Sequence, residues 1–333
     1  MRIAIVSEFR PAYTVAIEAC YSRALVALGH EIVEVQTFPR LAARGGVGWI
    51  LGTWPARVRQ SDVNAAIDRI RPDAIVIVKG VGILGATVGG WKRAGARVVN
   101  LFPDNPFDAM GATPFGSTLL DQLRVCDRVF VHDRFAAGQL RQLSVRAEFI
   151  AFARDPALHD RSMVDQPVSN HPKIVFVGNP DPERVAYLRA IADLGLGLWG
   201  NWHWAQLRRG DPLADCVKGD ELMGQRMTAC LGAAQLSINI LRRSQKTGHN
   251  MRTFESPASG TCTVSERSNA VLELMEDGVE VSTFASPREL RDVCLRLLAD
   301  AGMRVAIGEA GWRRVEDETY ERRAVQLLEA IAT

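Results

Sequence analysis

The sequence lacks the cysteine and histidine patterns that mark metal sites and disulfide frameworks. Its six cysteines are scattered, and none stands in a C-x-x-C spacing. Such usage suits reduced thiols in an intracellular protein better than a disulfide frame or a zinc site. The six histidines never stand four residues apart or close to a cysteine, so no zinc-binding pair is indicated. We therefore expect neither a metal nor another bound cofactor.

Long apolar runs and a large charge excess are missing as well. No stretch reaches the roughly 18 uninterrupted apolar residues that a membrane-spanning helix needs. The N-terminal run MRIAIVSEF is too short for a signal peptide. The formal net charge is only +2, so no global field directs the protein to nucleic acid or to an anionic membrane. We expect a soluble, cytoplasmic protein without an integral membrane segment.

Two signatures of common enzyme classes are absent, and a third is present at an unusual place. The chain has no G-x-S-x-G elbow and no P-loop, which disfavours hydrolases and phosphate-binding ATPases. Gly80–Gly85 matches G-x-G-x-x-G, the dinucleotide fingerprint. That motif belongs to the first strand–helix turn of a domain, whereas here it follows about the third predicted strand. We interpret it as a glycine-rich loop at the sheet edge and keep an NAD(P)-dependent oxidoreductase as the lesser alternative.

What is present is a repeated alternation of buried-type strands and amphipathic helices, which predicts parallel sheets covered on both faces. A length of 333 residues favours two domains. A proline-containing stretch without periodicity, residues 161–172, is the predicted linker. Strands are predicted over 2–7, 31–36, 74–79, 97–102, 128–133, 173–178, 196–200, 235–240 and 261–265. Helices are predicted over 14–30, 61–73 (with Ser61 as N-cap), 182–195, 286–300 and 322–333.

Polar residues follow two of the strands of the first half. Asp104 comes after strand 97–102 in FPDNPFD, and His132 and Asp133 end strand 128–133. Carboxyl ends of strands deliver functional groups in open α/β sheets, so these three are candidate catalytic residues. Two structural alternatives stay open: Asp-Asn-Pro is ordinary turn chemistry, and Asp133 suits the N-cap of the following helix.

A segment at 38–60 interleaves arginines with tryptophans. Arg40, Trp49 and Trp54 are candidates for binding an anionic or sugar-bearing acceptor, or a membrane surface. The alternative is an exposed helix pair anchored by its two tryptophans.

The segment HNMRTFESPASGTCTVSE, residues 249–266, has the composition of a nucleotide site. A helix is predicted to begin near Arg252, where backbone N–H groups and a guanidinium suit phosphate oxygens. Glu255, one turn later, is an acceptor for both hydroxyls of a ribose. The small Ser259-Gly260 pair lets a nucleotide approach the backbone. These parts fit a nucleoside diphosphate.

The sequence also resembles the CgeB-type (spore-maturation protein) glycosyltransferases of the GT-B superfamily, which are similar to the family-4 sugar transferases. The likeness covers most of the chain. It runs in order through RPDAIVIVKG (71–80), GARVVNLFPDNP (95–106), CDRVFVHD (126–133), IVFVGNPDPERVAYL (174–188), LGLWGNWHW (197–204), HNMRTFESPASGTCTVSE (249–266), GVEVSTFASPRELRD (278–292) and AGWRRVEDETYERR (310–323).

The resemblance implies a GT-B architecture of two facing Rossmann-like domains with catalysis in the cleft. Residues 1–160 would bind the acceptor, residues 173–315 the nucleotide-sugar donor, and the helix 316–333 would pack back on the first domain. Metal is not required, because basic side chains and helix dipoles neutralise the leaving diphosphate. Glu255 matches the ribose-binding acid, and the donor site further includes Gly178, Asn179, Arg184, His249, Asn250 and Arg252.

One departure from the family pattern concerns the sugar end of the donor. Family-4 enzymes often carry a second glutamate upstream, and the corresponding position here is Thr247. The contact with the transferred sugar and the retaining or inverting outcome therefore stay open.

The predicted function is transfer of a sugar, hexosyltransferase-like, from a nucleoside-diphosphate sugar, a UDP-sugar by preference. The acceptor is a hydroxyl of a glycan, a protein, a small molecule or a modified nucleic-acid base. A catalytically weak nucleotide-sugar-binding protein is the alternative from another class.

Overall fold

In a computed structural model, the structure describes residues 1–7, 16–37, 60–112, 116–164, 171–208, 210–243 and 246–332. The chain forms two compact units. Unit 1 comprises Met1–Ala151 together with Tyr320–Thr333, and unit 2 is Phe152–Thr319. The second unit is therefore inserted into the first.

Unit 1 is built on a six-stranded sheet of parallel strands in the order β2-β1-β3-β4-β5-β6. Continuous Val/Ile runs explain why its central strands are buried on both faces. The strands are β1 (Arg2–Ser7), β2 (Glu31–Gln36), β3 (Ala74–Val78), β4 (Arg97–Phe102), β5 (Arg128–Val131) and β6 (Ala147–Phe149). The helices are α1 (Ile17–Ala27), α2 (Gln60–Ile70), α3 (Gly85–Arg93), α4 (Pro106–Ala112), α5 (Gly116–Val125) and α6 (Arg134–Gln142).

Unit 2 contains a second six-stranded parallel sheet, in the order β12-β11-β10-β7-β8-β9. This is the doubly wound order, in which the winding direction reverses between β7 and β10. The strands are β7 (Ile174–Val177), β8 (Leu196–Trp199), β9 (Val217–Gly219), β10 (Leu236–Asn239), β11 (Cys262–Glu266) and β12 (Ser282–Phe284). The helices are α7 (Pro182–Arg189), α8 (Gly224–Gly232), α9 (Arg252–Ala258), α10 (Asn269–Leu274), α11 (Pro287–Ala299) and α12 (Ala301–Val315).

The last helix, α13 (Tyr320–Ala332), returns to unit 1 and packs on α1. The rings of Tyr21 and Tyr320 meet edge to face, with their centroids 5.3 Å apart. Ala324, Leu327 and Ile331 are buried along the same helix. The apolar stripe of α13 thus completes the core of unit 1 rather than that of the unit that precedes it in sequence.

The α/β class with parallel sheets is confirmed, and most predicted elements are present with shorter ends. Helix α7, for example, ends at Arg189, six residues before the predicted end at 195. Ser61 is not an N-cap, because α2 already begins at Gln60.

The boundary between the units lies earlier than the sequence suggests. The pattern predicts a first domain ending at residue 160, whereas residues 152–160 belong to unit 2. The buried Arg154 explains this assignment: its guanidinium donates to the carbonyls of Val315 and Glu316, and its own N–H donates to Glu318 O. These three donors, two on the guanidinium and one on the backbone, fix a segment without regular structure to the end of α12 and the residues that follow it.

Helix α9, which carries the candidate donor residues, is held by a close backbone contact. Gly260 follows α9 in the left-handed region (φ 79°), a conformation that favours glycine. Helix α12 passes directly over it, since a Cβ at Gly308 would lie 2.5 Å from Gly260 O.

We expect Gly308→Ala to lower the free energy of unfolding by about 2–3 kcal/mol, because a backbone oxygen cannot move aside and the helices must separate. Gly302→Ala in the same helix is the matched control, since its added Cβ would stand 3.4 Å from the nearest atom, Asp300 Oδ1. Urea unfolding measures both variants. Equal midpoints for the two would contradict the close-contact argument.

Candidate active site

The best-defined candidate site lies at the point in unit 2 where the winding of the sheet reverses. Strands β7 and β10 are neighbours in the sheet, yet their helical connections leave in opposite directions. In open α/β sheets this arrangement opens a crevice at the carboxyl ends of the two strands. The segments following these strands carry Gly178, Asn179 and Arg252.

Arg252 and Glu255 form an ion pair at this crevice. Arg252 Nη1 donates to Glu255 Oε2, and Arg252 Nε lies 3.4 Å from the carbonyl of Val177, the last residue of β7. The two side chains differ in access, since Arg252 is 26% exposed and Glu255 only 2%. The predicted start of a helix at Arg252 is correct, so the phosphate candidate and the ribose candidate lie one turn apart and contact each other.

Arg184 was predicted as a diphosphate partner, but its guanidinium is directed to the backbone. The buried side chain donates from Nε and Nη2 to Ile240 O and from Nη1 to Asn179 O. Burial lowers the pKa of Arg184 to about 10, although the carboxylate of Asp181 opposes this shift. The residue therefore ties the chain after β7 to the chain after β10. Its contacts shape the crevice, and its positive charge can act on an anion there only from a longer distance.

Positive charge accumulates around this point. Arg242 and Arg252 both act to lower the pKa of Arg184 through charge repulsion, which requires the three guanidinium groups to be close. The cluster is partly compensated, by Asp181 at Arg184 and by Glu255 at Arg252, and its positive charges favour an anion.

Gly178 and Asn179 lie at the carboxyl end of β7, as predicted, and are tied to the neighbouring loop after β8. Gly178 O accepts from Trp204 Nε1 at 2.9 Å, and Asn179 Oδ1 accepts from Asn201 N–H at 3.1 Å. Space at Gly178 is limited, because an added Cβ would stand 3.0 Å from the Phe176 ring. The loop backbone is consequently held in one position beside the crevice.

His249 and Asn250 support the segment that precedes α9. His249 is buried, its Nε2 accepts from Phe152 N–H at 3.0 Å, and its ring lies edge-on to Phe254. Asn250 Nδ2 donates to Asn239 Oδ1 at 2.8 Å. Both were predicted as donor contacts, and the structure shows their side chains bound to the protein itself. These contacts support the backbone of the segment that leads to Arg252.

Sequence reasoning missed two polar groups that the structure brings to this region. Lys246 forms ion pairs with Glu183 and with Glu266, the last residue of β11. Partial burial acts to lower the pKa of Lys246, but its hydrogen bonds to Glu266 and Glu183 raise it above the usual value. His159 approaches Glu255 from a segment without periodicity, and its Nε2 lies 3.7 Å from Glu255 Oε1. No local motif distinguishes either residue.

The candidate catalytic residues of unit 1 follow the neighbouring strands β4 and β5. These strands pair with Phe102 opposite Val131. Asp104 is about half exposed and lies 2.5 Å from Lys79 Nζ. The turn chemistry of this segment belongs to Asn105, whose side chain accepts from Phe107 N–H at the start of α4. Asp104 is therefore left with an ion pair at the carboxyl edge of the sheet.

His132 and Asp133 follow β5 and are engaged in local structure. His132 is buried, its Nδ1 lies 2.6 Å from Ile150 O, and burial lowers its pKa to about 3. The imidazole is consequently neutral at physiological pH and a weak base. The Asp133 carboxylate accepts from the N–H groups of Phe135 and Ala136, so the N-cap alternative describes its geometry.

Two further predictions concern the acceptor residues and the glycine-rich loop. The acceptor candidates Arg40, Trp49 and Trp54 lie outside the described residues. In the glycine-rich loop, Gly80 and Gly82 have positive φ. The N–H group of Leu84, the residue just before α3, already donates to Gln60 Oε1. That contact does not favour a pyrophosphate there.

Two features are absent from the described part of the chain. No group of three or more His, Cys, Asp or Glu residues there could hold a metal ion. None of its helices combines the length and the apolar character needed to cross a membrane.

Comparisons with known proteins bear on the architecture. The sucrose-phosphate synthase of Thermosynechococcus elongatus superposes with a TM-score of 0.69 at 15% identity, covering 99% of this chain and 98% of that chain. A glycosyltransferase from Rickettsia africae gives 0.65 at 13% identity, covering 100% and 98%. The Anabaena protein HepE, solved in complex with UDP-glucose, gives 0.64 at 12% identity, covering 99% and 100%.

The chain has the GT-B fold. Residues 184–329 of this GT-B chain also match the family model described as glycosyl transferase-like. No curated protein matches the sequence. The narrower CgeB-type resemblance stays a prediction.

Proposed function

We propose that this GT-B protein transfers a sugar from a nucleoside-diphosphate sugar, a UDP-sugar, to an acceptor hydroxyl. The observation that carries the proposal is the Arg252–Glu255 pair at the reversal point of the unit 2 sheet. The proposal is supported because a guanidinium suits phosphate oxygens, a carboxylate suits a ribose diol, and open α/β sheets bind nucleotides at such a reversal point. The UDP and UDP-glucose complexes of HepE, a protein of the same fold, support this choice of donor.

The reaction proceeds by breaking the bond between the sugar anomeric carbon and the diphosphate oxygen. Negative charge then develops on the leaving diphosphate, and preorganised cations stabilise it. Arg252 is the direct contact in this proposal, while Arg184 and Arg242 add positive charge nearby. Since these groups supply the charge compensation, we propose that transfer is independent of a divalent metal.

The acceptor hydroxyl must lose its proton when the new glycosidic bond forms. Among the three predicted candidates, Asp104 suits a general base best, because its side chain is half exposed and its partner is a single lysine. His132 is buried and neutral, and Asp133 caps α6. We propose Asp104 as the base if the reaction inverts the anomeric configuration.

The test is a panel of UDP-, GDP- and dTDP-sugars incubated with the full chain, with release of the nucleoside diphosphate as the readout. We expect release from a UDP-hexose, unchanged by EDTA. Binding of UDP without release would instead support the nucleotide-sugar-binding alternative. Stabilisation by NAD but not by UDP in a thermal shift assay would contradict the proposal and favour the oxidoreductase.

A further inference from the structure

A buried histidine lies near one oxygen of the Glu255 carboxylate, while Arg252 donates to the other. The His159 side chain is 1% exposed, and its Nε2 lies 3.7 Å from Glu255 Oε1. Among the described residues, this nitrogen has no partner within hydrogen-bond distance. Buried polar atoms without a partner are uncommon and carry a free-energy cost, so the position of this one calls for an explanation.

The other ring nitrogen determines where the proton of the neutral imidazole sits. Asp155 N–H points at His159 Nδ1 over 3.3 Å, so Nδ1 acts as an acceptor and carries a lone pair. A neutral imidazole has one N–H, and that N–H must then be at Nε2. The atom of Glu255 nearest to this donor in the ion-pair geometry is Oε1, at 3.7 Å. Burial, the largest cause, lowers the pKa of His159, which keeps the ring in this neutral form.

The backbone around His159 is fixed, so the ring cannot easily turn away. His159 O accepts from Arg154 Nη1 at 2.9 Å, and His159 N–H donates to Asp155 O at 2.7 Å. Arg154 is itself anchored, since its Nη2 donates to Glu316 O at 2.7 Å. A side chain held this firmly beside a buried carboxylate is suited to orient it.

We propose that His159 is a positioning residue for Glu255, and this rests on the proposed function. In the structure, Arg252 donates to Oε2 and His159 Nε2 lies 3.7 Å from Oε1. When a diphosphate binds Arg252, that guanidinium is shared with phosphate oxygens and its hold on Glu255 weakens. His159 Nε2–H then keeps the carboxylate oriented so that both hydroxyls of a vicinal diol donate to it. The ligand class selected is a ribonucleotide with its 2′- and 3′-hydroxyls.

The test compares variants of His159 with two ligands that differ only in the diol, UDP and 2′,3′-dideoxy-UDP. We expect His159→Leu to bind UDP about tenfold more weakly, the size of one hydrogen bond to a charged group. Affinity for the dideoxy ligand should stay within a factor of about two. His159→Gln, whose amide N–H reaches the region of Nε2, should recover most of the UDP affinity, and His159→Asn, whose amide stops near Nδ1, should not.

Calorimetry measures the affinities, and thermal unfolding shows which variants are folded. Unchanged UDP affinity in His159→Leu would overturn the proposal, and so would equal losses for UDP and the dideoxy ligand. If His159→Leu does not fold, the contrast between the Gln and Asn variants decides on the same criteria.

A measurement without ligand separates this inference from the donor assignment. The ¹⁵N shifts of the His159 ring should show the proton on Nε2, and Glu255→Gln should shift that nitrogen. A proton on Nδ1, or no response to Glu255→Gln, would overturn the positioning role. Failure of the wild-type protein to bind UDP would overturn the nucleotide donor instead, while the ring shifts still decide whether His159 holds Glu255.

Discussion

Arg252→Ala should lower kcat/KM for a UDP-sugar by a factor of about 10²–10³, the range found when one preorganised donor to a developing negative charge is removed. The loss has two physical causes. The leaving diphosphate loses its direct cationic contact, and Glu255, 2% exposed, loses the partner that offsets its burial. Removing one partner of a buried ion pair leaves the other charge uncompensated, so the Glu255 carboxylate is held less well for the ribose hydroxyls.

The control for this prediction is an arginine of the same unit at the surface. Arg189 is half exposed and pairs with Asp211, so Arg189→Ala should change kcat/KM by less than about twofold. Arg252→Lys keeps the charge but not the planar guanidinium, and an intermediate loss is expected. Uridine, which has no phosphate, should bind the Arg252→Ala variant with much less loss than UDP does. A wild-type rate for Arg252→Ala would remove Arg252 from the donor site.

Glu255→Ala should weaken UDP binding by a factor of about 30, equivalent to about 2 kcal/mol for hydrogen bonds to a charged group. The structure adds a cost that the sequence does not show. Removing the carboxylate also deprives Arg252 and His159 of their common neighbour, so the free energy of unfolding should fall by about 1–3 kcal/mol. Calorimetry with UDP and a denaturant titration measure the two effects separately.

Glu255→Gln is the matched variant, since it keeps the shape of the side chain and removes only the charge and one acceptor. It should retain more stability than the alanine variant and still bind UDP more weakly. For 2′,3′-dideoxy-UDP, wild type and both variants should bind alike. UDP affinity unchanged in Glu255→Ala would contradict the ribose assignment.

The two-sheet fold could be predicted from the sequence because its central strands are short runs of buried aliphatic residues. Strand β4 was predicted and found at the same residues, 97–102. The edge strands β6, β9 and β12 were not predicted, because each has only three residues, too few to show an alternation or an apolar run. Their pairing is decided by the neighbouring strand rather than by their own composition.

The sequence predicted the location of the candidate site better than the contacts of its individual side chains. A helix start at Arg252 followed by Glu255 could be inferred from residue types at close spacing. The backbone contacts of Arg184 could not, since Ile240 O lies 56 residues away along the chain. His249 has the same explanation, because its hydrogen-bond partner Phe152 lies 97 residues away. Contacts between residues so far apart in sequence arise only when the folded sheet brings their segments together.

The insertion of unit 2 into unit 1 has a consequence for the order of folding during synthesis. Every residue of unit 2 has been made before the first residue of α13 is added, whereas unit 1 needs α13 to cover Tyr21 and the adjoining face of α1. Domains generally fold as units as the chain emerges. The main part of unit 1 is translated first, yet its apolar surface at α1 stays uncovered until α13, the last helix, has been made.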